Sequence, residues 1–151
     1  MNPPVTLEKL LDMWSKDSVI DETEPGRELL RIPNLHAKYL KINSYHNLFS
    51  KKIHAEYQEK RKVRWMYYDG KLNNADDMEK YGITEPMEYK IDKAQIPMHL
   101  DADPELSKIL MQKAVHDEIV SCCSAIIKEL NNRSWSIRGA IEWQKLTRGS
   151  S

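Results

Sequence analysis

The stretch "EKRKVRWMYYDGK", Glu59 to Lys71, decides how this chain is read. Five basic residues, Lys60, Arg61, Lys62, Arg64 and Lys71, fall within twelve positions and are interleaved with Trp65, Tyr67 and Tyr68. Read as a helix, Tyr57, Lys60, Arg61, Arg64 and Tyr68 share an arc of about 100°, and Lys62 points the other way beside Met66. Read as a strand, Lys60, Lys62 and Arg64 share one face, with Val63, Trp65 and Tyr67 on the other. The residues leading into the stretch favour the helix. Leu35, Tyr39, Ile42, Phe49, Ile53 and Tyr57 recur at three- or four-residue spacing, which is the stripe of an amphipathic helix. The pattern predicts a long helix reaching at least Tyr57 and on to Tyr68. Asp69-Gly70 ends it, with Gly70 suited to a left-handed C-cap.

Upstream, Thr6 is positioned as the N-cap of a short helix carrying Leu7, Leu10, Leu11 and Trp14. The acidic segment "KDSVIDETEPGR" reads as a turn. The long helix is expected to begin near Glu28, with Pro33 suited to a restart, since proline fits a first turn.

Downstream, residues 70–103 form an insert of different character. "GKLNNADD" reads as loop and "DDMEKYG" as one helical turn. "MEYKI" and "AQIPMHL" alternate apolar and polar residues, so a small hairpin is expected, with Pro97 confining its second strand to an edge. Asp103-Pro104-Glu105 is a helix start: an N-cap acid, proline at the first position and an acid in the first turn. Leu106, Ile109 or Leu110, Lys113, Val120, Cys123, Ile127 and Leu130 mark a second long helix. "NNRS" (131–134) is expected to break or kink it. Trp135, Ile137, Ala140, Ile141, Trp143 and Leu146 then form a last amphipathic helix, whose apolar face docks either within the subunit or between subunits.

These elements make a mainly α chain: two long helices, a small α/β insert at about 70–103 and a terminal helix. Its 151 residues suit one domain, and a charged fraction of 30% with a single Phe leaves a modest core that assembly would complete. No apolar run is long enough to span a membrane, and the N-terminus lacks the pattern of a secretory signal. Cys122 and Cys123 are adjacent inside an apolar run, so they read as small core residues of a reducing compartment, not as a disulfide framework.

The formal charge of zero hides alternating blocks. Residues 1–30 hold seven acids and three bases, residues 31–66 nine bases and two acids, and residues 67–105 ten acids and four bases. Such blocks support a local anion site inside a neutral chain. Crowded cations between 60 and 64 are relieved by a phosphate backbone, which releases counterions. Nearby Tyr and Trp faces can stack unpaired bases. Taken by itself, the stretch reads rather more readily as the solvated end of a helix.

Other chemistry is weaker still. His99, Asp101 and Asp103 in "HLDAD" lack a second acidic pair at nuclease spacing, and Asp103 already serves as an N-cap. His36, His46, His54 and His116 form no ligand pair at helical spacing. The five scattered glycines build no phosphate loop. No catalytic residue, metal or cofactor is expected.

Three segments together resemble the UvsY family, the recombination mediator proteins of tailed bacteriophages. "LEKLLDMWSKDSVID" resembles the family's opening helix and acidic turn. "KVRWMYYDG", Lys62 to Gly70, is similar to its basic box. "SCCSAIIKELNNRSWSIRGAIEWQKL" resembles its C-terminal segment. The resemblance runs from about Leu7 to Leu146 and is poorest between Lys71 and Leu100. It implies a non-enzymatic protein of the infected host's cytoplasm, a ring-like homo-oligomer of about six or seven subunits. It implies partners as well: single-stranded DNA, a RecA-like recombinase loaded onto that DNA, and the single-stranded-DNA-binding protein that covers it. Lys62 and Arg64 match the family's DNA-binding pair, with Lys60, Arg61, Trp65, Tyr67 and Tyr68 in support. Trp65 stands where the family has an aliphatic residue. Residues 134–151, carrying Trp135, Ile137, Ile141, Trp143 and Leu146, match the self-association region, and 1–133 the DNA-binding part. The alternative is a helical scaffold or adaptor without a nucleic-acid role.

Overall fold

The computed structural model describes residues 5–149. The elements are helices α1 (Leu7–Asp17), α2 (Pro25–Tyr68), α3 (Ala75–Lys80), a 3-10 turn (Lys93–Gln95), α4 (Ile96–Asp101) and α5 (Pro104–Gly149). Among the described residues there is no strand. The chain divides into two compact units: one holds the described residues up to Phe49 and those from Val115 on, the other Ser50–Ala114.

In the first unit, α1 is started by Thr6, whose hydroxyl accepts from the Lys9 amide at 3.1 Å. Positions Glu28, Ile32, Leu35, Tyr39 and His46 of α2 are buried, as are Ile119, Cys123, Ile126, Leu130, Arg133 and Ile137 of α5. Both rows alternate steps of three and four (His46 follows Tyr39 by a full seven), the 3.5-residue repeat of a two-helix seam. Asn43 Nδ2 donates to Val120 O at 3.0 Å, and His46 Nδ1 lies 2.8 Å from His116 Nδ1. Rising numbers on α2 therefore meet falling numbers on α5, and the helices run antiparallel. Leu10 of α1 closes the core, with Trp14 edge-on to Tyr39 at 5.6 Å. Asp17 gathers Lys38 Nζ (2.6 Å) and the Tyr39 hydroxyl (2.7 Å). Burial pushes its carboxyl up, but these hydrogen bonds and the charges of Lys38 and Arg31 prevail and hold it below the usual carboxylate range.

Two expectations are corrected in this unit. α2 begins at Pro25, not near Glu28, and passes through Pro33 without restarting. Proline at the first position presets the helical φ, and burial of Ile32 and Leu35 on either side of Pro33 offsets its missing hydrogen bond. Nor does "NNRS" break α5. Arg133 is buried there, donates from Nη2 to Ser18 O at 3.0 Å and lies over the Trp14 ring. It thus satisfies a carbonyl at the end of α1 and holds α5 in register.

In the second unit, α2 runs helically to Tyr68. Gly70 has φ +77°, and Gly70 N donates to Tyr67 O and Lys71 N to Met66 O. These are the two bonds of a Schellman cap. The core holds Ile91, Ile96, Leu100 and Leu106, with Tyr57, Trp65, Tyr68 and Met87 packed against it. The expected hairpin is absent. Residues 87–91 are irregular, and "AQIPMHL" folds as the end of the 3-10 turn and α4. Ile96 and Leu100 are buried while Met98 is 62% exposed. A strand would have put all three on one face; a helix separates them. Pro97 sits in the first turn of α4, where no backbone donor is needed.

Candidate nucleic-acid interface

Because residues 59–68 are helical, the basic stretch is divided between two sides of α2. Arg64 faces the core of its unit. Its Nε donates to Asp103 Oδ2 at 2.7 Å, and its guanidinium carbon lies 4.3 Å from the centre of the Tyr67 ring. The Tyr68 hydroxyl donates to the same Oδ2 at 2.7 Å. The other carboxylate oxygen accepts from the amides of Glu105 (2.9 Å) and Leu106 (3.2 Å) at the start of α5. The Asp103 side chain is fully buried and that of Arg64 is 15% exposed. Burial acts to raise the Asp103 carboxyl. Hydrogen bonds from Tyr68, Arg64 and the Leu106 amide, with the charge of Arg64, outweigh it and keep it below its ordinary value. Burial and the bond to Asp103 push the Tyr68 phenol up.

The remaining members of the stretch fall into place around this clasp. Lys60 is half-buried and pairs with Glu105 at 3.2 Å. Trp65 and Tyr68 pack on the core, and the Tyr67 hydroxyl donates to Glu85 O at 3.1 Å. The aromatics are thus engaged in holding the insert to α2. Arg61 and Lys62 are exposed, and among the described residues neither has an ion-pair partner. The sequence placed Asp103 correctly as an N-cap but gave no sign of its pairing with Arg64, which lies 39 positions away.

The five residues expected to self-associate also divide by face. Ile137 is buried in the first unit's core, and Ile141 packs against it. Trp135 is 74% exposed, and Trp143 and Leu146 are each 68% exposed. At helical spacing these three share an arc of about 80°, opposite Ile137 and Ile141. Gly139 lies on the same arc with open space at its Cβ position.

Elsewhere, His46 and His116 form a close ring pair with Phe49 4.6 Å from the His116 ring. Burial lowers both imidazoles. Cys123 is buried and its thiol is pushed up to about 11, chiefly by burial. No group of three metal-ligating side chains occurs among the described residues, and no helix among them is long and apolar enough to cross a membrane.

Comparison with known proteins adds the family. No curated protein sequence matches the chain. Three crystal forms of the bacteriophage T4 recombination mediator protein UvsY match its fold. The type II lattice gives a TM-score of 0.82 at 22% identity, covering 94% of this chain and 97% of that one. The type IV lattice gives 0.81 at 21%, covering 93% and 98%. The type I lattice gives 0.80 at 20%, covering 91% and 98%. Residues 13–150 match the model of the family described as recombination, repair and single-stranded-DNA-binding protein UvsY. With nearly the whole chain matched and the mainly helical fold in agreement, this protein belongs to the UvsY family.

Proposed function

We propose that the chain is a recombination mediator. It binds single-stranded DNA as a homo-oligomer and loads a RecA-like recombinase onto DNA covered by single-stranded-DNA-binding protein. The observation that carries the reading is the pair of exposed, unpartnered cations Arg61 and Lys62, in a chain of a family described as binding single-stranded DNA. Lys62 and Arg61 meet phosphates directly. Arg64 supports them from within, by holding the basic segment against Asp103. Trp135, Trp143 and Leu146 cover one another's copies in the assembly, removing an apolar face from water. A ring repeats the few cations of one subunit, so affinity grows by multivalency without a new kind of contact. The protein performs no bond chemistry of its own, and it works in the cytoplasm of the infected host.

The test is a salt-dependent single-strand titration with particle mass measured in parallel. Binding that weakens with salt, by an assembled species, is the expected result. An assembled species without affinity for the strand leaves the helical scaffold as the reading. Recombinase ATPase on DNA pre-coated with the single-strand-binding protein then tests loading: the chain shortens the lag.

A further inference from the structure

The second unit carries a cation that the basic stretch does not include. Lys51 precedes Lys62 by eleven positions on α2. Eleven helical residues bring the two side chains within about 20° of one another and separate them by about 16 Å along the axis. Both are exposed, and neither has a partner among the described residues. The opposite side of this part of α2 holds Ile53, Tyr57, Lys60, Arg64 and Tyr68, which pack or pair within the unit. Between the two lysines, on their side, stand exposed Ala55 and Gln58. The first is small enough to let a strand approach, and the second is a neutral amide donor. Glu59 lies about 60° round from Lys62, and Glu56 further still, so neither stands on the line between the lysines.

We propose that the outward side of α2 from Lys51 to Lys62 is the track on which each subunit seats the phosphate backbone of single-stranded DNA, with Lys51 as its second anchor. Two unpaired cations about 16 Å apart cannot share one small anion; a polyanion lying along the helix gains from both. Arg61 lies about 80–100° round from the line, further than Glu59, and Arg64 is off it altogether. This rests on the single-strand-binding reading above.

The experiment is binding of fluorescent oligothymidylate across a salt series, for the full-length protein and its Lys51→Ala, Lys62→Ala and Lys51→Arg variants, with mass and melting followed alongside. Each alanine variant is expected to reduce the salt slope by about 0.7 per contacting subunit, and Lys51→Arg to retain it. Mass and melting stay as in the parent. A Lys51→Ala slope equal to that of the parent, with Lys62→Ala reduced, overturns the track and leaves the function standing. A parent that does not bind the oligonucleotide overturns both. Equal losses on the oligonucleotide and on a polyglutamate competitor also overturn it, because the face would then serve acidic protein.

Discussion

Arg64 and Asp103 are joined by a 2.7 Å hydrogen bond between Nε and Oδ2, although one lies near the C-terminal end of α2 and the other caps the start of α5, 39 positions on. The carboxylate is fully buried and caps α5 with its second oxygen. The arginine that the family resemblance alone matches to a DNA-binding position is therefore a structural fastener of the unit. A loss of DNA binding on replacing it does not by itself show contact with DNA.

Removing Arg64 leaves the buried Asp103 charge without its cation, and Asp103→Asn leaves the mostly buried Arg64 with only Glu105 at 3.8 Å. Arg64→Ala and Asp103→Asn should each destabilise by about 3–5 kcal/mol. Lys62→Ala, on the exposed side, should stay within about 0.5 kcal/mol of the parent. Circular-dichroism melts with denaturant titrations read the difference. A fully stable Asp103→Asn variant would remove the clasp from the account.

The His46–His116 pair gives the protein an acid sensitivity above that of its carboxylates. Both imidazoles are lowered from 6.5, so the unfolded chain binds their protons first. Stability is complete above about 6.5 and falls as pH drops from there through the lowered folded values. The melting temperature should decline between pH 7.5 and 5.5 in the parent and decline less in His116→Asn. Parallel profiles for the two proteins would count against this origin.

The two faces of the terminal segment differ in burial, Ile137 lying in the core and Trp135 and Trp143 outside it, so the proposed assembly can be tested apart from folding. Trp135→Ser with Trp143→Ser should yield smaller particles by light scattering while retaining helical content. Ile137→Ala, in the core at 6% exposure, should lower stability by about 2–5 kcal/mol. Unchanged mass for the double tryptophan variant would move the seam elsewhere. Point changes are preferable to deleting 134–151, because deletion also removes Ile137 from the core.

Gly70 closes α2 at φ +77°. Gly70→Ala should cost about 1 kcal/mol, since a Cβ disfavours that conformation even where nothing crowds it. A chemical-denaturation midpoint equal to the parent's would mean the cap relaxes freely.

The local signals in the sequence determined the helices. Thr6, Asp103-Pro104 and Gly70 mark ends because caps act within a few residues, and the stripe from Leu35 to Tyr57 repeats the helical period. Assignments lacking such a signal needed the fold. Alternation in "AQIPMHL" is shared by a strand and a short helix, and Pro97 suits an edge strand as well as a first turn. "NNRS" has low helix propensity, yet α5 continues because Arg133 reaches Ser18 and Ile137 is buried beyond it. The sequence by itself determined a mainly α chain with helix ends at Thr6, Gly70 and Asp103 and an apolar C-terminal segment. Only the tertiary structure decided that Arg64 faces Asp103, that Trp65 and Tyr68 pack on the core, and that Trp135 and Ile137 lie on opposite sides. Those outcomes depend on which distant element fills the space beside each side chain, and a helical period specifies a face without specifying what covers it.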